Sequence, residues 1–170
     1  EITNTLSYQF LPIDRGTDFF ITGVGSGYVQ KYVVPLSGPV TITTQIDTFT
    51  GINHFVGTDD FGVVVNGLSF FNFFAVSDPL GAYTFDGVNG IYNNLKDTLD
   101  YENLTNNSSI NVTVTSYGAH GSMNGTVVKT SDLGMITDTF LNMGVIQGVT
   151  TGNNTFTGNI TFASDYRFRG

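Results

Sequence analysis

The chain has 170 residues, 12% of them charged, with six Lys or Arg against fourteen Asp or Glu and a net charge of −8. This length suits one domain with a sizeable core, and the absence of cysteine excludes disulfides, thiol catalysis and thiolate metal sites. The six cations are scattered, so no basic patch can neutralise phosphates, and we expect neither nucleic acid nor an anionic membrane as a partner.

The first predicted strand has an apolar residue at almost every second position. These residues are Ile2, Leu6, Tyr8 and Phe10. Hydroxyl and amide side chains stand between them and Pro12 ends the run, as in a strand with one buried face. We therefore assign residues 1–11 to an N-terminal strand and residues 12–170 to a single β-sandwich domain.

The strongest hairpin signal lies within residues 59–76, which read DDFGVVVNGLSFFNFFAV. Asn66 and Gly67 stand between a Val-rich and a Phe-rich run, and both tolerate the positive φ angles of a two-residue type I′ turn. The apolar runs are nearly continuous, which predicts strands covered on both faces at the centre of a sandwich.

Further strands follow from alternating apolar and polar residues. They are predicted at 28–34, 40–47, 83–85, 110–115, 123–130 and 155–168. Residues 133–149 fit neither period well, and we expect two short strands there. The one predicted helix spans residues 91–102, where Ile91, Leu95 and Leu99 recur at four-residue spacing. The sum is an all-β fold of about ten strands with at most one short helix, expected to be a jelly-roll sandwich, with a β-barrel as the alternative.

Candidates for catalysis are few. The two histidines, His54 and His120, fall in Gly- and Asn-rich segments predicted to be loops facing water, and neither a Gly-x-Ser-x-Gly elbow nor an HExxH helix is present. Paired carboxylates for glycoside hydrolysis are an alternative, but the chain has no Trp to stack sugars. We nominate no catalytic residue and expect a protein that is not an enzyme.

Aspartates suggest the one cofactor that we consider, a structural calcium ion. Twelve of the fourteen acids are Asp, mostly beside Gly or Asn, and calcium takes roughly six to eight oxygen ligands. The best candidates are Asp59 and Asp60, with Asp47 on the preceding predicted strand. In the alternative interpretation these aspartates initiate turns.

Asn-x-Ser/Thr sequons are the most specific local signal. They lie at Asn103, Asn106, Asn107, Asn111, Asn124, Asn153 and Asn159. Their number is roughly twice that expected by chance, although an Asn- and Thr-rich surface yields sequons by composition alone. Asn111 and Asn159 fall on the polar side of predicted strands, where a glycan would not disturb the core.

The run IDTFTG at residues 46–51, followed by DDFGVVVNGLSFFNFF at 59–74, resembles an element of extracellular bacterial jelly-roll modules. In those modules a strand with an Asp precedes a hairpin that contains Val-Asn-Gly. They are lectin-like and occur in adhesins and surface proteins. The resemblance implies a jelly roll and, as an alternative function, a secreted glycan-binding or adhesin module with structural calcium. The tryptophan-containing ligand segments of those modules have no counterpart here.

The whole chain resembles the subunits of donor-strand filaments, among them archaeal threads, because it is small, cysteine-free and sequon-rich and begins with an alternating strand. In such filaments a terminal strand pairs with the exposed edge of the next subunit. The resemblance implies that Ile2, Leu6, Tyr8 and Phe10 form a donor strand and that the partners are further copies of the chain. An ordinary first strand in its own sheet is the alternative.

These expectations combine into a location and a function. The low charge, the Gly-, Asn-, Thr- and Ser-rich surface and the start at Glu1 without Met predict a mature secreted protein at the cell surface, with an artificial boundary as the alternative. No apolar run approaches the ~20 residues of a membrane helix, so we expect no membrane insertion. The predicted function is that of a non-enzymatic subunit of an extracellular filament, pilus or cell-surface assembly.

Overall fold

The computed structural model describes residues 3–11, 15–33, 43–58, 72–88, 97–118 and 121–158, which contain thirteen β-strands and no α-helix. The strands are β1 (Thr5–Ser7), β2 (Arg15–Gly23), β3 (Ser26–Val33), β4 (Thr43–Phe49), β5 (His54–Val56), β6 (Phe73–Val76), β7 (Thr84–Asp86), β8 (Thr98–Asp100), β9 (Ser109–Tyr117), β10 (Met123–Ser131), β11 (Gly134–Met143), β12 (Val145–Gln147) and β13 (Asn154–Thr157). The predicted all-β fold is confirmed.

The strands form two sheets that share one hydrophobic core. Seven strands make the first sheet in the order β1-β5-β7-β11-β10-β9-β13, and six make the second in the order β12-β8-β6-β2-β3-β4. Apolar residues that alternate along each strand point into the space between the sheets and form one cluster. The predicted single β-sandwich is therefore confirmed, and the alternative of a closed barrel does not fit two separate sheets.

The chain alternates between the two sheets and its central strands are parallel. In the seven-stranded sheet, β1, β5, β7 and β11 are parallel neighbours in that order. The next strand along the chain after each of them, β2, β6, β8 and β12 respectively, lies in the other sheet, where these four strands are again parallel neighbours. The chain thus winds through four turns of a coil. A jelly roll is built from antiparallel strands, so the connectivity differs from the predicted one.

Antiparallel hairpins extend the coil on both sides. In the six-stranded sheet, β3 pairs with β2 and β4. In the seven-stranded sheet, β10 pairs with β9 and β11, and β13 then lies parallel to β9. Each hairpin therefore widens one sheet beyond the coil.

Phe55 lies at the centre of the core. Its ring centroid is within 6.0 Å of those of Phe19, Phe49, Tyr83 and Phe85, which come from both sheets. Burying each such side chain stabilises the fold by roughly 1.5–3 kcal/mol. Aromatic packing therefore holds the two sheets together.

Asn72 fixes the corner where the chain enters β6. Its buried side-chain Oδ1 accepts from the Thr58 N–H at 2.7 Å, and its Nδ2 donates to the carbonyls of Thr58 at 3.1 Å and Gly87 at 2.9 Å. A Cβ at Gly57 would lie 2.3 Å from the Asn72 side chain, so this position requires glycine. The amide thus satisfies backbone groups of successive turns of the coil.

The structure agrees with some of the predicted elements and contradicts another. The turn at Asn66 and Gly67 lies outside the described residues, but the end of that segment forms β6 in the middle of its sheet. The predicted helix at 91–102 is wrong where the structure describes it, because Thr98–Asp100 is the strand β8. Two strands lie within 133–149, as predicted, but only β12 is short, because β11 spans ten residues.

Candidate functional site

The N-terminal strand β1 lies at one edge of the seven-stranded sheet. Thr5–Ser7 pairs in parallel with His54–Val56, and the Tyr8 N–H donates to the Val56 carbonyl at 3.0 Å. On its other side no strand of the described ranges is paired with it. An edge strand presents unpaired backbone groups on that side, which can bond to another chain.

The predicted donor-strand residues have different environments. Leu6 is half-buried and packs against the core, and the Tyr8 ring meets the Phe19 ring edge-on with centroids 5.7 Å apart. Phe10 is 90% exposed, and Ile2 lies outside the described residues. Within one chain, two of the four predicted apolar residues therefore contribute to the chain's own core.

Asp47, predicted as a calcium ligand, is held by two neighbours. Its carboxylate accepts a hydrogen bond from the Tyr8 hydroxyl at 2.7 Å and lies 2.8 Å from the Lys31 ammonium. Both contacts lower the pKa of the Asp47 carboxyl, and the contact with Lys31 has the larger effect. Asp59 and Asp60 lie outside the described residues. Within the described part, no group of three or more His, Cys, Asp or Glu is placed to hold a metal.

Most of the predicted glycosylation asparagines are exposed. The exposed ones are Asn103, Asn106, Asn107, Asn111 and Asn153. Asn111 projects outward from β9, as predicted, and Asn159 lies outside the described residues. Asn111 on β9 and Asn153 just before β13 lie near the edge of the sheet opposite β1, whereas Asn103, Asn106 and Asn107 lie in the loop between β8 and β9.

Asn124 is the poorest acceptor among the predicted sequons. It is half-buried, its Nδ2 donates to Ser116 Oγ at 3.1 Å, and its Oδ1 accepts from the Asn142 N–H at 2.8 Å. A glycan on this nitrogen would displace the contact with Ser116. The side chain therefore has a structural role on the outer face of the sheet.

A row of threonines crosses the outer face of the seven-stranded sheet. From edge to edge the register aligns Thr5, His54, Thr84, Thr139, Thr126, Thr113 and Thr157. His54, predicted to be a loop residue, instead lies on β5 within this row, with its Nδ1 3.2 Å from Thr5 Oγ1; His120 lies outside the described residues. A depression beside the row is lined by Thr3, Asn53, Ala82, Tyr83, Thr84, Thr137 and Thr139. Neutral hydroxyl and methyl groups dominate this surface.

Inside the sandwich, a Lys and an Asp form a fully buried pair. Lys129 on β10 and Asp138 on β11 both point into the core, with 0% of each side chain exposed and 3.0 Å between Nζ and Oδ2. The Nζ also donates to the carbonyls of Gly81 at 2.7 Å and Asp78 at 3.3 Å. Neither charge reaches water, so both depend on these partners.

Two tyrosines complete the surroundings of the pair. The Tyr101 hydroxyl donates to Asp138 Oδ2 at 2.8 Å and the Tyr83 N–H donates to Oδ1 at 3.0 Å. The Tyr83 ring lies under Lys129, with its centroid 4.7 Å from Nζ, and its hydroxyl donates to the Asp78 carboxylate. Both oxygens of the Asp138 carboxyl are therefore fixed in position.

Burial changes the acid–base properties of this cluster. It raises the pKa of Asp138 to about 6, although Lys129, Tyr101 and the Tyr83 N–H oppose the rise. Burial also raises the pKa of Tyr101, and the nearby Asp138 adds to that effect. The Asp138 carboxyl thus takes up a proton more readily than an exposed aspartate does.

Neither Lys129 nor Asp138 was predicted as a site residue, although the sequence contains a signal for the pair. Lys129 follows Met123, Gly125 and Val127 at two-residue steps along β10, on the side that faces the core. Asp138 has the same relation to Phe140 on β11. A charged residue on the apolar side of an alternating strand indicates a buried charge, and two such residues in neighbouring strands suggest a pair.

Comparison with known proteins does not assign the chain to a family. No protein-family model, curated protein or solved structure matches the chain. In the described ranges, no helix is long and apolar enough to cross a membrane. The class that the fold defines is a two-sheet β-sandwich with a parallel coil at its centre.

Proposed function

We propose that the protein is a non-enzymatic structural subunit of an extracellular filament, pilus or cell-surface assembly, joined to its neighbours by strand complementation. The observation that carries the proposal is the position of β1 as a short strand at the sheet edge, paired with β5 alone among the described strands. A strand bound on one side has few bonds to break before it is exchanged.

The site that β1 occupies suits a second copy of the same strand. Leu6 and Tyr8 pack on core residues that include Phe19, and the β5 backbone supplies the paired hydrogen bonds. A strand of identical sequence from another copy would make the same contacts. Exchanging the strand between copies therefore costs little. The partner of this proposal is therefore a further copy of the chain.

The surface chemistry supports an extracellular location for such an assembly. Asn111 and Asn153 are exposed near the edge opposite β1. Glycans at these positions would cover the outside of a subunit and leave the site of β1 accessible. In this arrangement subunits join through one edge and carry sugars near the other.

Electron microscopy of the purified chain and of matched variants tests the proposal. Leu6→Lys should abolish assembly, because the ammonium group would enter the apolar site, whereas the neighbouring exposed position in Ser7→Lys should leave assembly intact. A chain without residues 1–11 should bind a peptide of that sequence and remain monomeric. Assembly that survives Leu6→Lys, or compact monomers that keep β1 in their own sheet, would contradict the proposal.

The threonine row favours a second candidate function, that of a secreted glycan-binding or adhesin module. In this candidate, structural calcium binds at Asp47, Asp59 and Asp60, as predicted from the sequence. The outer face of the sheet offers neutral hydroxyls beside a depression that Thr84, Thr137 and Thr139 help to line. Such groups can hydrogen-bond the hydroxyls of a sugar, and polar groups of this kind fix a ligand's orientation.

A glycan array with and without calcium tests this second candidate. Thr139→Arg, in the middle of the row, should abolish binding, and Thr44→Arg on the exposed part of β4 should preserve it. Absence of binding to any glycan in either condition would exclude this function.

A further inference from the structure

The buried pair of Lys129 and Asp138 is arranged for a covalent reaction as well as for an ion pair. We propose that Lys129 Nζ and the Asp138 carboxyl condense to an amide, which cross-links β10 to β11 within the chain. The inference concerns a single chain and does not depend on the proposed assembly.

The first requirement is proximity, and the pair meets it. Nζ lies 3.0 Å from Oδ2 of Asp138, the oxygen bonded to the carboxyl carbon Cγ that the amine would attack. Near-attack geometry holds reacting atoms about 3–3.5 Å apart, so Nζ needs only a small shift from the oxygen toward Cγ. Because both side chains are completely buried among packed residues, they cannot move apart into water.

The second requirement is a neutral amine beside a neutral acid. Two charges in a dry interior are costly, and transfer of one proton from the Lys129 ammonium to the Asp138 carboxylate removes both. Burial raises the pKa of Asp138 to about 6, so the protonated carboxyl is more populated than it is in an exposed aspartate. The free amine is the nucleophilic state of lysine, and the protonated carboxyl is the electrophilic state of aspartate.

The surrounding donors and acceptors suit the transition state. The Tyr101 hydroxyl and the Tyr83 N–H bind the two carboxyl oxygens, where negative charge develops when the amine adds. Such preorganised donors are a main source of rate acceleration in acyl transfer. The carbonyls of Gly81 and Asp78 bind hydrogens of the amine and fix its direction.

The reaction balances without any co-reactant. The bond from Nζ to Cγ forms and one C–O bond of the carboxyl breaks. Of the three ammonium hydrogens, one remains on the amide nitrogen and two leave with the oxygen as water. The chain therefore loses one water, about 18 Da, and gains a covalent modification between two side chains.

Intact-mass measurement of the chain produced in a host that does not glycosylate tests the proposal. The wild-type mass should be about 18 Da below the mass calculated from the sequence, because one water is lost in forming the modification. Asp138→Asn should reach the same final mass, because its amide carbon releases ammonia in place of water. Asp138→Ala and Lys129→Arg should keep their full calculated masses.

Proteolysis of the denatured chain locates the bond. Cleavage before Asp132 separates the segment with Lys129 from the segment with Asp138, and these two segments should stay joined in the wild type. A wild-type mass equal to the calculated value overturns the proposal. So does a loss of water with segments that separate. Because the wild-type chain decides the matter, misfolding of a variant does not obscure the result.

Discussion

Strand β1 and the β10–β11 hairpin belong to the same sheet but are held in it by different means. β1 pairs with β5 over three residues and packs through side chains that are partly exposed. β10 and β11 share eight aligned residue pairs, and they bury Val127, Phe140 and the charges of Lys129 and Asp138 completely. The sheet thus has an edge with few contacts and a centre with many, an arrangement that agrees with the proposed exchange of β1 between subunits.

Asp138→Ala is expected to have the largest effect, because it leaves the Lys129 ammonium buried without a counter-charge. Removing one partner of a buried pair costs about 3–5 kcal/mol, and loss of the proposed amide would add to this. The free energy of unfolding, measured by urea titration with circular dichroism, should fall by at least about 3–5 kcal/mol.

The matched control is the double variant Lys129→Met with Asp138→Leu. It removes both charges and fills the space with apolar side chains, so it should recover most of the stability that Asp138→Ala loses through the unpaired ammonium. If Asp138→Ala instead cost about 1 kcal/mol or less, as an exposed ion pair does, the β10–β11 hairpin would not be the most stable part of the sheet.

Truncating one apolar side chain in β1 and one in the β10–β11 hairpin compares directly how much each region contributes to the free energy of unfolding. Val127 on β10 is fully buried, so Val127→Ala should cost about 2 kcal/mol from lost burial and a small cavity. Leu6 on β1 is only half-buried, so Leu6→Ala should cost about 1 kcal/mol although it removes more carbon atoms. Urea titration of the monomer gives both values. The reverse order would show that β1 belongs to the stable part of the sheet.

Strands were predictable where neighbouring residues decide the structure. Alternation along residues 123–130 predicted β10, and alternation along 110–115 predicted most of β9. This works because successive side chains of a strand point to opposite faces, whatever the strand pairs with. The outward direction of Asn111 followed from the same rule.

The order and direction of the strands were not predictable in this way. The alternation of β5 to β8 between two sheets depends on contacts distant in sequence, and the same patterns fit an antiparallel jelly roll. The predicted helix is wrong for a related reason. The spacing of Leu95 and Leu99 suited a helix, but Leu99 is buried in β8, which pairs with β6 and β12 on either side. Tertiary pairing here outweighs local spacing.

For the candidate sites too, local features were predictable from the sequence and features that depend on the fold were not. The apolar alternation of the N-terminal strand was visible in the sequence, but its position at the sheet edge depends on the fold. For Lys129 and Asp138 the core-facing position of each charge was visible, but their pairing was not, because it depends on how β10 aligns with β11. The roles of Tyr83 and Tyr101 required the complete fold.

The smallest expected effect concerns the contact that ties β1 to the other sheet. In Asp47→Asn the Tyr8 hydroxyl retains an oxygen acceptor, but the ion pair with Lys31 is lost. The two side chains of that pair are 46% and 18% exposed, so the loss should be about 1 kcal/mol or less at pH 7. Lys31→Gln should reproduce it.

The pH dependence of that loss shows whether charge is its cause. The contact with Lys31 lowers the pKa of the Asp47 carboxyl below its ordinary value of 3.8, so the folded chain binds this proton less readily than the unfolded chain. The stabilisation is therefore present above about pH 4 and is lost as the pH falls through the lowered pKa. The wild type and Asp47→Asn should differ at pH 7 and converge toward about pH 2 in urea titrations. A difference that persists in acid would mean that Asp47 holds β1 through hydrogen-bond geometry alone, and acid would then leave the edge strand as firmly bound as before.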